Sequence, residues 1–199
     1  MRGVAAFDFD KTITTRDTLG PFMWQVGGLR RNVIGAASTM SLLTERDSSV
    51  RRNHVKARMF RRVFGGVGHD DIATEADQYA RTLSRWFRPG TLEHIRRHRE
   101  RGHELVLVTA SLRVYAEPTA LALGFDRIMA VELATDDAGR ATGDLVGVNL
   151  RGPEKARRLR EHLGDEPAEL WAYGDSAGDV DMLAMANHPT WVGRPPRGQ

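Results

Sequence analysis

Four short stretches of this chain hold residues that could do chemistry together. They are Asp8-Phe9-Asp10-Lys11-Thr12, Thr109-Ala110-Ser111, Lys155, and Gly174-Asp175-Ser176-Ala177-Gly178-Asp179. If the four meet, three or four carboxylates, a hydroxyl and one ammonium share a pocket. Carboxylates that close together raise one another's pKa unless a cation sits among them. The chain has no cysteine, and no histidine lies near these stretches. A site made only of carboxylate and carbonyl oxygen suits Mg²⁺, which takes one or two carboxylates plus substrate phosphate and keeps several waters. A hydroxyl and a point charge are the parts that hold a phosphoryl group. The chemistry implied is phosphoryl transfer. A lone acid after a strand is usually a cap or a turn former. Asp8 with Asp10 is a stronger signal, because alternate residues on a strand end face the same way.

These stretches sit where strands should end. Residues 3–7 (GVAAF) read as a buried strand with acids at its C-terminal tip, and the apolar runs 105–109 and 170–173 lead into the second and fourth stretches. The period is helical from Thr18 to Phe87, with helices predicted over 18–27, 30–45, 50–64 and 69–87. Beyond it the pattern alternates. Helices are predicted over 91–101, 112–123 (kinked or restarted by Pro118), 153–163 and 179–186. Strands are predicted over 128–134 and 190–192, with a hairpin turn at 136–139 leading into 141–149, and the tail 194–199 should fray. Strands alternating with helices give an α/β fold, a parallel sheet covered on both faces. The helical stretch predicts a smaller second domain, 17–88, inserted into a core of 1–16 and 89–199. Ligands of such sheets bind beyond the carboxyl ends of the strands.

At 199 residues, 41% hydrophobic and 28% charged, the chain has the composition of an ordinary globular protein. Disulfides and thiolate sites are excluded. No apolar run nears the roughly 20 residues of a membrane-spanning helix. The first residues, broken by Asp8 and Asp10, do not read as a secretion signal, so the expected location is the cytoplasm. The net charge of +3 is uneven: residues 17–88 hold 12 Lys/Arg against 7 Asp/Glu. Arg51, Arg52, Arg58, Arg61 and Arg62 could suit nucleic acid, but with only Phe60 and Phe64 interleaved they read as a solvated helix face.

Taken together, the DFDKT stretch, Thr109 after a hydrophobic strand, Lys155 and the GDSAGD stretch resemble the four motifs of the haloacid dehalogenase superfamily. The helical insert resembles the cap of its phosphoserine phosphatase-like branch. The resemblance implies a Rossmann-like three-layer parallel-sheet core with that cap after the first strand. It implies a Mg²⁺-dependent phosphatase of a small phosphorylated metabolite, with Asp8 as nucleophile and Asp10 as acid and base. It assigns the metal to Asp8, the Asp10 carbonyl, Asp175 and Asp179, the last through water or by orienting Lys155. It assigns the phosphoryl oxygens to Thr109, Lys155 and the backbone of Phe9 and Ala110. In phosphoserine phosphatases a glutamate shortly after the first motif and a cap arginine bind the substrate. Here the matching offset holds Asp17, and Arg58 is a candidate for the arginine. Gly178 stands where those enzymes carry asparagine. The stretch 143–155, with Asn149, resembles a broader hydrolase set acting on histidinol phosphate and other small phosphomonoesters. A receiver-like phospho-acceptor shares several of these groups. It has no helical insert after its first strand, and a stable switch would avoid the acid at Asp10.

Overall fold

The computed structural model describes residues 2–38 and 48–193. β1 (Arg2–Phe7) is followed by α1 (Leu19–Ser38), α2 (Ser48–Val63) and α3 (His69–Thr82), a 3-10 turn over Leu83–Trp86, and α4 (Pro89–Glu100). Then come β2 (Glu104–Leu112), α5 (Arg113–Ala122), β3 (Arg127–Val131), β4 (Leu133–Thr135) and β5 (Ala141–Leu145). The chain closes with α6 (Pro153–Leu163), β6 (Ala168–Gly174), α7 (Val180–Ala184) and β7 (His188–Trp191). Five strands form one sheet in the order β3-β2-β1-β6-β7, every pair parallel.

β1 lies at the centre, and Val4 to Phe7 have no exposed surface. An unbroken apolar run is what a strand covered on both faces requires. From β1 the chain builds β2 and β3 to one side, then returns to add β6 and β7 on the other. The strand order therefore reverses at β1, and the tips of β1, β2 and β6 share one crevice.

The two links between the sheet and the helical insert run side by side. Thr15 donates its N–H to the Trp86 carbonyl (2.7 Å), and Arg88 donates to that of Ile13 (2.8 Å). α1 packs on α2 and α3. α1 is two helical stretches parted by a kink, as expected at Gly27-Gly28, because Gly28 takes φ 58° and ψ −173°, outside helical geometry. The predicted extension of that second helix beyond 38, and the tail 194–199, lie outside the described residues.

Three expectations change. The helix over 69–87 leaves α geometry at Thr82, whose hydroxyl bonds back to the Tyr79 carbonyl (2.8 Å). Pro118 sits inside α5 without interrupting it. The strand over 128–134 is two strands in different sheets, because the Glu132 carbonyl accepts from Val146 (2.9 Å) and directs β4 into an antiparallel hairpin with β5. That hairpin joins the insert. Ala141 exchanges backbone bonds with Gly66 and Val67, each 2.8 Å, and Arg61 pairs with Asp144 at 2.7 Å. The approach is close because Gly143 allows it: a Cβ there would lie 2.3 Å from the Arg61 Cα.

Candidate active site

Asp8 leaves the end of β1 still tied to the sheet, its N–H bonded to the Tyr173 carbonyl of β6 (2.9 Å). Next comes a single tight turn, closed by the N–H groups of Ile13 and Thr14 on the Phe9 carbonyl. In it Lys11 is the one non-glycine residue with positive φ among the described residues (60°). The turn brings the Thr12 hydroxyl back to Asp8 Oδ2 (3.1 Å). Asp8 Oδ1 is paired with the ammonium of Lys155, which comes from the first turn of α6. The same ammonium bonds Asp179 Oδ1 at 2.6 Å. Lys155 and Asp179 are almost fully buried and Asp8 nearly so.

β2 loses register with β3 between Val108 and Leu112. A bulge of this kind re-aims side chains at a strand end. Within it Thr109 Oγ1 accepts from the Ser111 N–H (3.0 Å), and the Ser111 hydroxyl donates to Asp10 Oδ2 (2.7 Å). The other Asp10 oxygen accepts both the hydroxyl (2.6 Å) and the N–H (2.8 Å) of Thr18, the residue just before α1. Asp10 is therefore held from the insert side and the sheet side at once, clear of Lys155. Asp179 Oδ2 accepts from the N–H (3.0 Å) and hydroxyl (2.9 Å) of Ser176 and more weakly from the Asp175 N–H (3.3 Å). Both Asp179 oxygens are thus engaged, one by Lys155 and the other by the loop that carries it.

The electrostatics divide these acids. Burial pushes Asp8 up to about 7 despite Lys155 beside it. Burial and then the Asp17 charge push Asp10 up to about 6. Burial and then Asp8 push Asp175 up to about 6. For Asp179 the Lys155 charge and its hydrogen bond outweigh burial, and its pKa is lowered. Asp8, Asp175 and Asp179 each place one oxygen so that all three lie within 4.8 Å of one another. Lys155 and, at Asp175, Lys11 only partly offset the burial and repulsion of these acids, and two of the three stand above the usual carboxylate range. An all-oxygen set short of positive charge fits a hard divalent cation.

These groups line a cavity of about 520 Å³ that also takes in Asp17, Thr109, Ala110 and Arg151. Phe9 is fully buried behind it. Asp17 Oδ1 accepts from the first N–H groups of α1, Leu19 (3.0 Å) and Gly20 (3.3 Å), so it caps the helix while facing the cavity. Arg58 does not line the cavity. Its guanidinium bonds the Ser38 carbonyl (2.7 Å) at the end of α1, because its position on α2 turns it toward that helix. Among the described residues of α2, the basic one that reaches the cavity is Lys56, which bonds the Ala110 carbonyl (2.8 Å) and Asn149 Oδ1 (3.0 Å). Sequence reasoning missed Lys56 and Thr18; the only available signal was that Lys56 is one of three lysines among 29 basic residues. At Gly178 a Cβ would sit 3.0 Å from the Arg151 Cζ, so the guanidinium occupies the room an asparagine side chain would need.

Comparison with known proteins gives this arrangement a family. The model of haloacid dehalogenase-like hydrolases matches residues 5–184. Protein CicA of Caulobacter vibrioides is 34% identical over 186 residues, which span 92% of this chain and 83% of that protein. Phosphoserine phosphatase SerB2 of Mycobacterium tuberculosis is 35% identical over 117 residues, 57% of this chain and 28% of that protein. Among solved structures, a substrate-bound phosphoserine phosphatase complex superposes with a TM-score of 0.66 at 18% identity, covering 94% of this chain and 83% of the other. No helix among the described residues is long and apolar enough to cross a membrane. The chain belongs to the haloacid dehalogenase-like hydrolase family, and its fold is that of the phosphoserine phosphatase-like members.

Proposed function

We propose that this hydrolase is a Mg²⁺-dependent phosphatase of small phosphomonoesters that works through a phosphorylated Asp8. The observation that carries the reading is the separation of its acids. Asp8 shares a buried cluster with Lys155, Asp175 and Asp179, while Asp10, two residues on, is held apart by Thr18 and Ser111. An Asp8 oxygen attacks phosphorus as the ester oxygen leaves, and Asp10 gives that oxygen its proton. Asp10 then takes a proton from water as the water oxygen attacks the Asp8-bound phosphorus. The phosphorus–Asp8 bond breaks, and phosphate and free carboxylate are restored. Asp10, pushed up to about 6, has a pKa near the operating pH, as a group serving in both directions needs.

Lys155 and the Thr109 hydroxyl hold the equatorial phosphoryl oxygens, with Phe9 and Ala110 N–H groups beside them. Asp8, Asp175 and the Asp10 carbonyl would hold Mg²⁺, which would supply charge neutralisation at the phosphoryl group. Residues 17–88 serve as a cap over a core of 1–16 and 89–199, hinged where residues 13–15 run beside 86–88. Hydrolysis of p-nitrophenyl phosphate with Mg²⁺ tests this. Many turnovers per chain are expected, and Asp8→Asn should retain less than about one-hundredth of the rate with the fold intact. A single equivalent of product per chain, or a normal rate in Asp8→Asn, refutes the reading.

A further inference from the structure

The cavity has two kinds of wall. Its floor is polar: Asp8 and Asp175 at the strand tips and Lys155 from the start of α6. Its roof, supplied by α1 and α2, is apolar apart from Lys56. Leu19 and Met23 lie one turn apart on α1, Val55 and Met59 lie one turn apart on α2, and Phe60 adjoins them. Residues four apart share a helix face, so each helix turns one apolar stripe to the cavity. The volume of about 520 Å³ lies in the range of pockets that enclose drug-sized ligands, more than a phosphate on a three-carbon alcohol fills.

The charged groups on the insert side are already engaged. Lys56 is tied to Ala110 and Asn149, its ammonium 5.3 Å from the centre of the Phe60 ring. Asp17 has one oxygen committed to the start of α1. On the insert side an amino-acid head group would have to compete with these bonds, which leaves it only Lys11 and Arg151 on the sheet side, whereas an apolar group needs none of them.

We propose that the substrate is a phosphomonoester whose leaving alcohol carries an aliphatic chain, seated against Leu19, Met23, Val55, Met59 and Phe60 while the phosphate meets Asp8. The assignment rests on the phosphatase reading and names its substrate class. Thioether side chains suit such a wall, since Met is unbranched and fits irregular apolar shapes. Chain contacts remote from phosphorus supply binding energy that positions the reacting groups.

The test is a series of methyl, butyl, hexyl and octyl phosphate, kept below micelle formation, beside phosphoserine and histidinol phosphate. kcat/KM should rise about fourfold per added methylene until the wall is covered. Met59→Gln, close in size but polar, should lower that slope. Calorimetric binding of the matching alkylphosphonates, which needs no turnover, should show the same rise in affinity with chain length. A flat or falling series while methyl phosphate and phosphoserine are hydrolysed overturns the apolar assignment and leaves the phosphatase reading standing. Failure to hydrolyse any ester sinks the phosphatase reading, and the phosphonate affinities then decide the assignment alone. A slope unchanged in Met59→Gln removes α2 from the site.

Discussion

Cation binding at the Asp8–Asp175 cluster should be steeply pH-dependent, by an amount that follows from the geometry. Both carboxyls are held above their ordinary range, at about 7 and about 6, and both must be ionised to act as ligands. At pH 8 each is largely a carboxylate. At pH 5 the first is ionised about 1% of the time and the second about 9%, so the doubly ionised form is about 1000-fold scarcer. The Mg²⁺ dissociation constant should weaken by about that factor between pH 8 and pH 5, roughly 4 kcal/mol of binding free energy. The sign follows from the same groups. Each has a folded pKa above its unfolded value, so in the metal-free protein each favours folding fully below about pH 4, and that contribution is lost as pH rises through 6 to 7. Mg²⁺ removes this penalty, and the increase in Tm that it gives should grow from pH 5 to pH 8. Titration calorimetry at pH 6.5 in two buffers of different ionisation enthalpy should show proton release on binding. A dissociation constant constant within threefold from pH 5 to 8, or no proton release, would refute the reasoning.

Thr18→Val removes the hydroxyl that favours the ionised form of Asp10 and leaves the backbone N–H. The Asp10 pKa should rise by about one unit and carry the alkaline limb of kcat/KM with it; a limb that stays put or moves down contradicts the acid role. Gly143→Ala should cost about 2–4 kcal/mol, since φ is +82° and the new methyl meets the α2 backbone. Thermal unfolding set against Gly139→Ala, which has φ +70° but open space, isolates the contact, and equal losses would dismiss it. His98 is buried between the Tyr173 hydroxyl and His103, each 2.9 Å away, and burial holds it down to about 4. Its folded pKa lies below its unfolded value near 6.5, so its stabilisation is present above pH 6.5 and lost as pH falls through about 4. The Tm advantage of wild type over His98→Gln should shrink across that window, and one that stays constant would show that the ring does not titrate there.

Much of the site was legible because its groups are local to strand ends. An apolar run that stops at a polar group marks the place: β1 ends before Asp8 and β6 before Asp175, while the apolar run of β2 stops at Thr109, inside the strand. What brings the tips together is the reversal of strand order at β1, which the alternating pattern implies only in outline. The groups missed are those that tertiary contact supplies. Thr18 reads as the first residue of a helix, and nothing local says that Asp10 will meet it. Arg58 and Lys56 stand two apart on one helix, and which of them faces the cavity depends on how α2 settles against α1 and β5, a rotation that charge counting does not report. The strand over 128–134 failed at Glu132 for a similar reason. Its propensity was right, but its partner changed.

Lys11 holds a left-handed backbone at φ 60°, where a glycine would rest without steric penalty and a longer residue sits about 1 kcal/mol higher. Its ammonium is one of the charges that pull the Asp175 pKa down against burial and neighbouring acids. This bend thus doubles as a counter-charge. Relaxing it would ease folding and sharpen carboxylate repulsion in the same stroke.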